Sequence, residues 1–353
     1  MKIAPDSYGP MFSTHNHDPA ITECPNGDLL AIWYTCVEER GREVGLLGSR
    51  LRHGTEEWEP ASLFWDTPDR NDHTPALWFD GQTTLFQFVG VSSAATWGNL
   101  AISLRTSRNN GVTWSKARLI APEHGPRHMP EESVFRMKDG TIVLATDAID
   151  SDFRGTNVWL SEDEGETWKD PGGTIPGIHA AVTEISGGRL LAFSREHTVD
   201  GMMPRCISID RGRSWELTAS PFPPIFGGQR MVLLRLREGP LFFASFAEEL
   251  EIVDSSGRKR KASGLFGAIS RDDGETWPIR RLITDDGPGR PFNGGAWTGR
   301  FILSHSTAEP RGYLSVCQST DGVIHLISSA LHYAFNLAWL ETPPPPVPES
   351  YRE

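Results

Sequence analysis

Ionisable residues recur at one position of a repeated pattern along the chain. In six places, such a residue stands eight to ten residues before the glycine of a tight turn, where an apolar segment begins. Reading back from the glycines at 27, 81, 140, 188, 239 and 322 reaches His17, His73, Glu131, His179, Arg230 and Tyr313. The register is uncertain by one residue, so the alternatives at three of these places are Asp18, Asp72, and Glu132 or His128.

Histidine, tyrosine and arginine together suit two kinds of carbohydrate chemistry. His179 could deprotonate Tyr313, which would then attack an anomeric carbon as an activated nucleophile. Alternatively, histidine and tyrosine could serve as base and acid in β-elimination next to a uronate, while arginine neutralises the carboxylate. The candidate catalytic residues are therefore His17, His73, His179 and Tyr313, and the candidate substrate-binding residues from these positions are Asp18, Asp72, His128, Glu131 and Arg230.

Metal binding is an alternative use of the histidines near the N-terminus. His15 and His17 form a His-x-His pair on a predicted strand, so both side chains point to one face. With His73 they could ligate a metal ion. Local hydrogen bonding explains the same residues, and this spacing alone is a weak metal signal. We predict no metal and no other cofactor.

The candidate residues are positioned by strand pairs. Each of the six stretches reads as a short strand, a turn that contains glycine, and a strongly apolar strand; "SVFRMKDGTIVLATD" is one example. Such patterns predict β-hairpins. Helical periodicity is nearly absent, which predicts an all-β protein. The predicted innermost strands are 18–25, 74–79, 132–138, 179–186, 230–237 and 313–319.

Four octets of the form Ser-x-Asp/Asn-x-Gly-x-Thr/Ser-Trp supply the second repeat. They end at Trp114, Trp168, Trp215 and Trp277, at intervals of about 50 residues. The aspartate can accept backbone N–H bonds, the glycine can adopt a left-handed conformation, and the tryptophan can pack between sheets. We interpret the octets as structural turns between outer strands, with no catalytic role.

Six hairpin units on this period predict a six-bladed β-propeller, because radial repetition explains a long, regular period better than a sandwich does. The predicted domain covers residues 1–341. The Pro-rich tail, 342–353, is expected to leave the domain as a polyproline segment. The long link at 287–313 is either a lid in which Trp297 stacks on a sugar or an extra hairpin on the rim. The basic stretch at 253–264 is expected to be an exposed hairpin tip.

The octets resemble the Asp-boxes, or BNR repeats, of the sialidase superfamily, and the resemblance covers roughly residues 15–340. It implies a six-bladed propeller whose enzymes work in a central funnel, where the innermost strands begin. Sialidases carry an arginine on the first strand, where this chain has His17, and a glutamate that activates the tyrosine nucleophile, where it has His179. Tyr313 matches the tyrosine. Arg205, in "MMPRCISID", is assigned by the resemblance to a substrate-binding arginine at the funnel wall.

Bulk properties narrow the partners. The net charge is −12 and no basic tract of the nucleic-acid-binding kind is present, which argues against nucleic acid. The first residues, "MKIAPDSYGP", have no apolar signal segment, so a cytoplasmic location without membrane attachment is expected. The four cysteines are scattered and read as buried free thiols. The oligomeric state is left open.

The leading hypothesis is an exo-acting glycoside hydrolase on a terminal, acidic sugar of a glycan or oligosaccharide. A lyase that acts by β-elimination is the alternative within the enzyme class. A non-catalytic carbohydrate-binding propeller and an interaction scaffold are the alternatives outside it. Paired acid and base groups in the funnel favour an enzyme, whereas aromatic platforms alone favour a binding module.

Overall fold

The computed structural model describes residues 15–93, 98–149, 154–328 and 331–351. The predicted all-β class is confirmed, and the strands form a propeller-like arrangement of antiparallel sheets. Among the described residues, no helix has the length and apolar character needed to cross a membrane.

The first half of the chain forms two runs of antiparallel strands and one separate sheet. The strands of the first run are β1 (His15–Glu23), β2 (Leu29–Cys36), β3 (Glu43–Leu51) and β4 (Ser62–Trp65). Those of the second are β5 (Arg70–Phe79), β6 (Leu85–Ser92), β7 (Leu100–Ser107) and β8 (Arg118–Gly125). A short parallel pairing between β3 and β5 joins the two runs into one sheet. The next sheet holds β9 (Met129–Arg136), β10 (Ile142–Ile149), β11 (Arg154–Ser161) and β12 (Ile175–Pro176).

The second half continues the same meander. One sheet holds β13 (Ile178–Ile185), β14 (Arg189–Arg195), β15 (Pro204–Ser208) and β16 (Glu216–Ala219). The next holds β18 (Val232–Arg235), β19 (Leu241–Val253), β20 (Lys259–Ser270) and β21 (Ile279–Leu282), preceded by the short β17 (Gln229–Arg230). The last holds β25 (Ser315–Gln318), β26 (Ile324–Ile327) and β27 (His332–Phe335), and β24 (Gly312–Tyr313) before it pairs with β17.

Short elements complete the fold. A hairpin of β22 (Arg290–Asn293) and β23 (Arg300–Leu303) encloses α1 (Gly295–Thr298), so the link at 287–313 contains the extra hairpin. The helix α2 (Leu337–Glu341) follows β27, and single 3-10 turns lie at Ser186–Gly188 and Glu349–Tyr351. The basic stretch at 253–264 is the exposed turn between β19 and β20, as predicted.

The octets are structural turns, as predicted. In the octet that ends at Trp168, Asp163 Oδ1 accepts the backbone N–H of Thr167 at 2.8 Å, and Gly165 has a φ of 84°. The Trp168 ring lies edge-on to Phe88 of the preceding strand run, with 5.5 Å between centroids. Trp114 packs in the same way on Phe64. The tryptophan of each of these two turns therefore packs its own sheet against the preceding strand run.

The first and last sheets contact each other, which joins the two ends of the domain. The backbone N–H of Ile21 in β1 donates to Ser315 Oγ at 3.0 Å, and Thr320 donates to the Glu23 carboxylate. The prediction that the Pro-rich tail leaves the domain was wrong. The carbonyls of Pro344 and Pro345 accept hydrogen bonds from Ser255 and Arg260, because the long β19–β20 hairpin provides donors beside the tail.

Candidate active site

Three innermost strands begin with the same backbone irregularity. β1, β5 and β13 each contain a two-residue bulge that shifts the pairing register, and the first residues of these bulges are Asp18, Thr74 and His179. All three have left-handed φ values, of 56°, 50° and 54°. A bulge turns a side chain away from the regular alternation of a strand and is frequent beside active sites. Here the bulges direct side chains toward the space where the strands begin.

His179 is held by two buried carboxylates. Its Nδ1 lies 2.7 Å from Glu131 Oε1 and 2.9 Å from Asp147 Oδ2. The oxygens of Asp147 also accept the backbone N–H of His179, at 2.9 and 2.8 Å. Burial by itself lowers the pKa of His179, but Glu131, Tyr313 and Asp147 together outweigh it and hold that pKa well above its ordinary value. With Nδ1 bound to carboxylates, Nε2 is the nitrogen available for proton transfer.

The Tyr313 hydroxyl lies between a base and a cation. Its oxygen is 3.2 Å from His179 Nε2, and Arg195 Nη1 donates to it at 2.8 Å. The ring is flanked by His17, whose centroid lies 4.0 Å away, and by the Arg230 guanidinium at 5.2 Å. The arrangement fixes the phenol and places positive charge where a phenolate would develop.

Arg230 is a buried cation that links several sheets. Its guanidinium is ion-paired with Asp18, lies 3.6 Å from Glu131 Oε2, and donates to the carbonyls of Pro19 and Leu314 at 2.9 and 3.1 Å. The side chain is 2% exposed. Arg230 therefore packs against the Tyr313 ring, and it does not line the cavity beside the Tyr313 hydroxyl.

A cavity of about 170 Å³ opens over the Tyr313 hydroxyl. Its lining residues are Asp18, Tyr34, Glu39, His73, Thr74, Met129, Arg154, Ile178, His179, Arg195 and Tyr313. Arg154 and Arg195 both bind the Glu196 carboxylate, at 3.2 and 3.3 Å. Two guanidinium groups thus line the cavity, and that of Arg195 also contacts the Tyr313 hydroxyl. Guanidinium groups suit an anionic ligand.

A second hydrogen-bonded group, contributed by the first two strand runs, lies at the cavity wall. Glu39 Oε1 accepts hydrogen bonds from His15 Nε2 and the Tyr34 hydroxyl, each at 2.9 Å. Burial by itself raises the pKa of Glu39, but the bonds from His15 and Tyr34 lower it to about 2, so the carboxylate is ionised. His73 stacks on Tyr34 with 4.8 Å between ring centroids, and burial lowers its pKa to about 4. His73 is therefore a neutral imidazole at neutral pH.

Among the described residues, six of the predicted site residues do not line the cavity. Three of them contact residues that do, since His17 and Arg230 flank the Tyr313 ring and Glu131 binds His179. The other three are Arg205, Asp72 and His128. Arg205, predicted at the funnel wall, lies on β15, the third strand of its sheet, where it is ion-paired with Glu275 at 2.5 Å, and it does not line this cavity. Asp72 accepts bonds from Thr67 and fixes the link between β4 and β5. His128 Nδ1 lies 2.6 Å from the Glu123 carbonyl oxygen. Trp297 belongs to α1, and its side chain lies outside the described residues.

A metal ion is a second possible use of the carboxylate–histidine cluster. Ligand atoms of Glu131, Asp147 and His179 lie within 4.8 Å of one another. Both carboxylates already contact His179 Nδ1, and Asp147 also accepts the backbone N–H of His179, so hydrogen bonding accounts for the cluster. Other contacts account for two of the histidines considered from sequence as metal ligands. His15 binds Glu39, and His73 stacks on Tyr34.

The residues that sequence reasoning missed lie on second strands. In the hairpin registers, Tyr34 is opposite His17, Asp147 is opposite Met129, and Arg195 is opposite Ile178. Counting outward from each turn along both strands, rather than only toward the N-terminus, would have found them. Glu39 follows β2 and lies outside the strand pattern that gave the candidate residues.

Comparison with known proteins agrees with this architecture. The model of the BNR repeat-like domain matches residues 27–326. A curated sialidase of Micromonospora viridifaciens is 25% identical over 360 aligned positions, which cover 91% of this chain and 51% of that protein. The chain therefore spans about half the length of that relative.

Solved structures show the same fold at low sequence identity. The K499G mutant of NanB sialidase from Streptococcus pneumoniae superposes with a TM-score of 0.62 at 12% identity, covering 94% of this chain and 69% of that one. The intramolecular trans-sialidase of Ruminococcus gnavus superposes with a TM-score of 0.61 at 12% identity, covering 97% and 98%. The chain belongs to the BNR repeat-like domain family and is a BNR repeat protein of the sialidase superfamily.

Proposed function

We propose that the cavity is the active site of a carbohydrate-active enzyme, a glycoside hydrolase that removes a terminal acidic sugar from a glycan. One observation carries the proposal: the Tyr313 hydroxyl lies between His179 Nε2 and the Arg195 guanidinium, at the wall of a cavity. A nucleophile, a base and a third group that orients the base are the parts of an activated nucleophile.

The first chemical step transfers the sugar to Tyr313. The phenolic proton moves to His179 Nε2, where Glu131 and Asp147 stabilise the imidazolium, and Arg195 stabilises the phenolate. The Tyr313 oxygen then forms a bond to the anomeric carbon. The glycosidic C–O bond breaks, and its electron pair stays on the leaving oxygen. Because Glu39 is ionised, we assign it no acid role, and the leaving oxygen takes its proton from water.

The second step is the reverse exchange with water. A water oxygen bonds to the anomeric carbon, the bond to Tyr313 breaks, and the phenolate recovers its proton from His179. The water proton passes to solvent. The enzyme returns to its starting protonation state, and the sugar is released as a free hemiacetal after two displacements at one carbon.

Two features support an acidic substrate. Arg195 and Arg154 line the cavity, and the local field of a cavity governs binding there even when the net charge of the chain is −12. The similarity to proteins that are sialidases supports the same class of sugar.

The site also depends on the number of blades. We infer that the chain closes as six blades, whose innermost strands are β1, β5, β9, β13, β18 and β25. The contacts between β1 and β25 and the pairing of β17 with β24 support this closure. In that arrangement the strand starts surround one axis, which explains why residues as distant in sequence as Asp18 and Arg230 form an ion pair.

A substrate screen tests the proposal. Aryl glycosides of neutral and acidic sugars, together with acidic oligosaccharides, are assayed for released aglycone, for new reducing ends and for near-ultraviolet absorbance. Aglycone release that requires Tyr313 supports the hydrolase. An unsaturated product that absorbs in the near ultraviolet indicates β-elimination instead, and binding without turnover indicates a carbohydrate-binding module.

A further inference from the structure

The start of β5 differs from the two other strained strand starts. Asp18 and His179 have left-handed backbones, and each is fixed by ion pairs, to Arg230 and to Glu131. Thr74 has the same conformation, with a φ of 50°. For a β-branched residue this conformation is strained and is retained only where the surroundings impose it. A strained residue at a cavity wall points to a role in function.

Two buried polar atoms belong to neighbouring residues at this strand start. Among the described residues, neither Thr74 Oγ1 nor His73 Nδ1 has a hydrogen-bond partner. Thr74 is 2% exposed and His73 is 6% exposed, and both line the cavity. A buried polar atom without a partner costs free energy, so native proteins retain few of them and those retained need an explanation. A ligand in the cavity supplies one.

The chemistry of the pair defines the ligand group. A neutral imidazole offers one donor and one acceptor, and a threonine hydroxyl offers one donor and two acceptor lone pairs. Such a pair matches an uncharged group that both donates and accepts, whereas Arg154 and Arg195 in the same cavity match an anion. A sugar hydroxyl meets the first requirement.

We propose that His73 and Thr74 are specificity-determining residues that bind a hydroxyl of the substrate sugar while Arg195 binds its acidic group. The proposal rests on the proposed function, because it names the part of the sugar that this cavity reads. It predicts that sugars lacking the matching hydroxyl are poor substrates, since both buried atoms would then stay unpaired.

The test uses variants that remove one polar atom each and keep shape. Thr74→Val replaces the hydroxyl by a methyl group, and His73→Phe keeps a ring against Tyr34. Thr22→Val is the matched control, because Thr22 is 3% exposed, lies on β1 and does not line the cavity. The readouts are kcat/KM on the substrate found by the screen, the melting temperature, and the affinity for free N-acetylneuraminic acid and D-glucuronic acid.

The expected result separates recognition from folding. Thr74→Val and His73→Phe should each lower kcat/KM at least about tenfold. Thr74→Val should not lower the melting temperature, because the hydroxyl that it removes has no partner among the described residues. Sugar affinity should fall with Thr74→Val and stay unchanged with Thr22→Val.

Three results would overturn the inference. One is a lower melting temperature for Thr74→Val than for Thr22→Val with unchanged kinetics, which would show that the hydroxyl is bonded within the fold. Another is full turnover by Thr74→Val in an enzyme that Tyr313→Phe inactivates, which would leave the proposed function intact. The third is binding of neither free sugar by a protein that also lacks turnover, in which case the proposed function fails as well.

Discussion

The Tyr313 hydroxyl oxygen lies 3.2 Å from Nε2 of His179, whose opposite nitrogen contacts two buried carboxylates. A phenol, an imidazole and carboxylates in line form a path along which a proton can leave the phenol. These residues come from three parts of the fold. Glu131 and Asp147 lie on one sheet, His179 lies on the next sheet, and Tyr313 lies on β24, the short strand that precedes the last sheet.

The pH dependence of turnover should respond to Glu131. In the active form Tyr313 carries its proton and His179 is neutral, so that His179 can accept that proton. Activity should therefore rise with pH as the His179 imidazolium loses its proton. Because the pKa of His179 is raised, the acidic limb of kcat/KM should lie above the ordinary histidine pKa of about 6.5. Glu131→Gln removes one carboxylate and should move that limb down by about one pH unit or more. A limb that does not move in this variant would exclude His179 as the titrating group.

Two arginines of one sheet should differ in their effect on catalysis. Arg195→Lys removes the planar guanidinium that contacts the Tyr313 hydroxyl and should lower kcat at least about tenfold. Arg205→Ala removes a side chain that contacts Glu275 away from the cavity and should leave kcat and KM unchanged. Steady-state kinetics of the two variants check this. The opposite ranking would restore Arg205 to the site, where the sequence resemblance placed it.

An octet aspartate should affect stability and not turnover. Asp272 Oδ1 accepts the backbone N–H of Thr276 at 2.9 Å, so Asp272→Ala should lower the free energy of unfolding by roughly 1 kcal/mol. Asp272→Asn should retain more stability, because Asn109 accepts the equivalent bond at 3.0 Å in another octet. Denaturant unfolding and kinetics of the folded protein provide the measurements. A loss of turnover at unchanged stability would mean that the octets were misinterpreted.

The acid dependence of the same turn has a definite sign. The bonds from Thr276 lower the pKa of Asp272 to about 2, below the unfolded value of about 3.9. Its contribution is therefore present above pH 4 and is lost as the pH falls toward 2. The stability difference between wild type and Asp272→Ala should shrink over that window.

The sequence predicted the fold better than the site, for a physical reason. The octets and glycine turns are local signals, since each depends on residues within one hairpin, and they located Gly165 and Trp168 correctly. His17, His73, His179 and Tyr313 could be reached because the innermost strand begins a fixed distance before its turn. Arg195 and Asp147 lie on second strands, so a count that runs only toward the N-terminus from each turn does not reach them.

Burial also decided the roles of charged residues. Nothing local in sequence distinguishes Arg230, which is buried beneath Tyr313, from Arg195, which contacts the hydroxyl. The distinction follows from the ion pair with Asp18, a residue more than two hundred positions away. Arg205 illustrates the converse. Local sequence does not show that its partner is Glu275, 70 positions away, and Arg205 does not line the cavity.

The central claim is that Tyr313 forms a covalent bond to the sugar. The most direct test is to measure the mass of the peptide that contains Tyr313 during turnover. The substrate found by the screen is converted to a fluorinated glycosyl fluoride, which slows the second displacement, and the reaction is quenched in acid for intact-protein and peptide mass spectrometry. We predict one added sugar per chain, located on the peptide at Tyr313, and no adduct with Tyr313→Phe or His179→Ala. An adduct on another residue, or full turnover by Tyr313→Phe, would contradict the account.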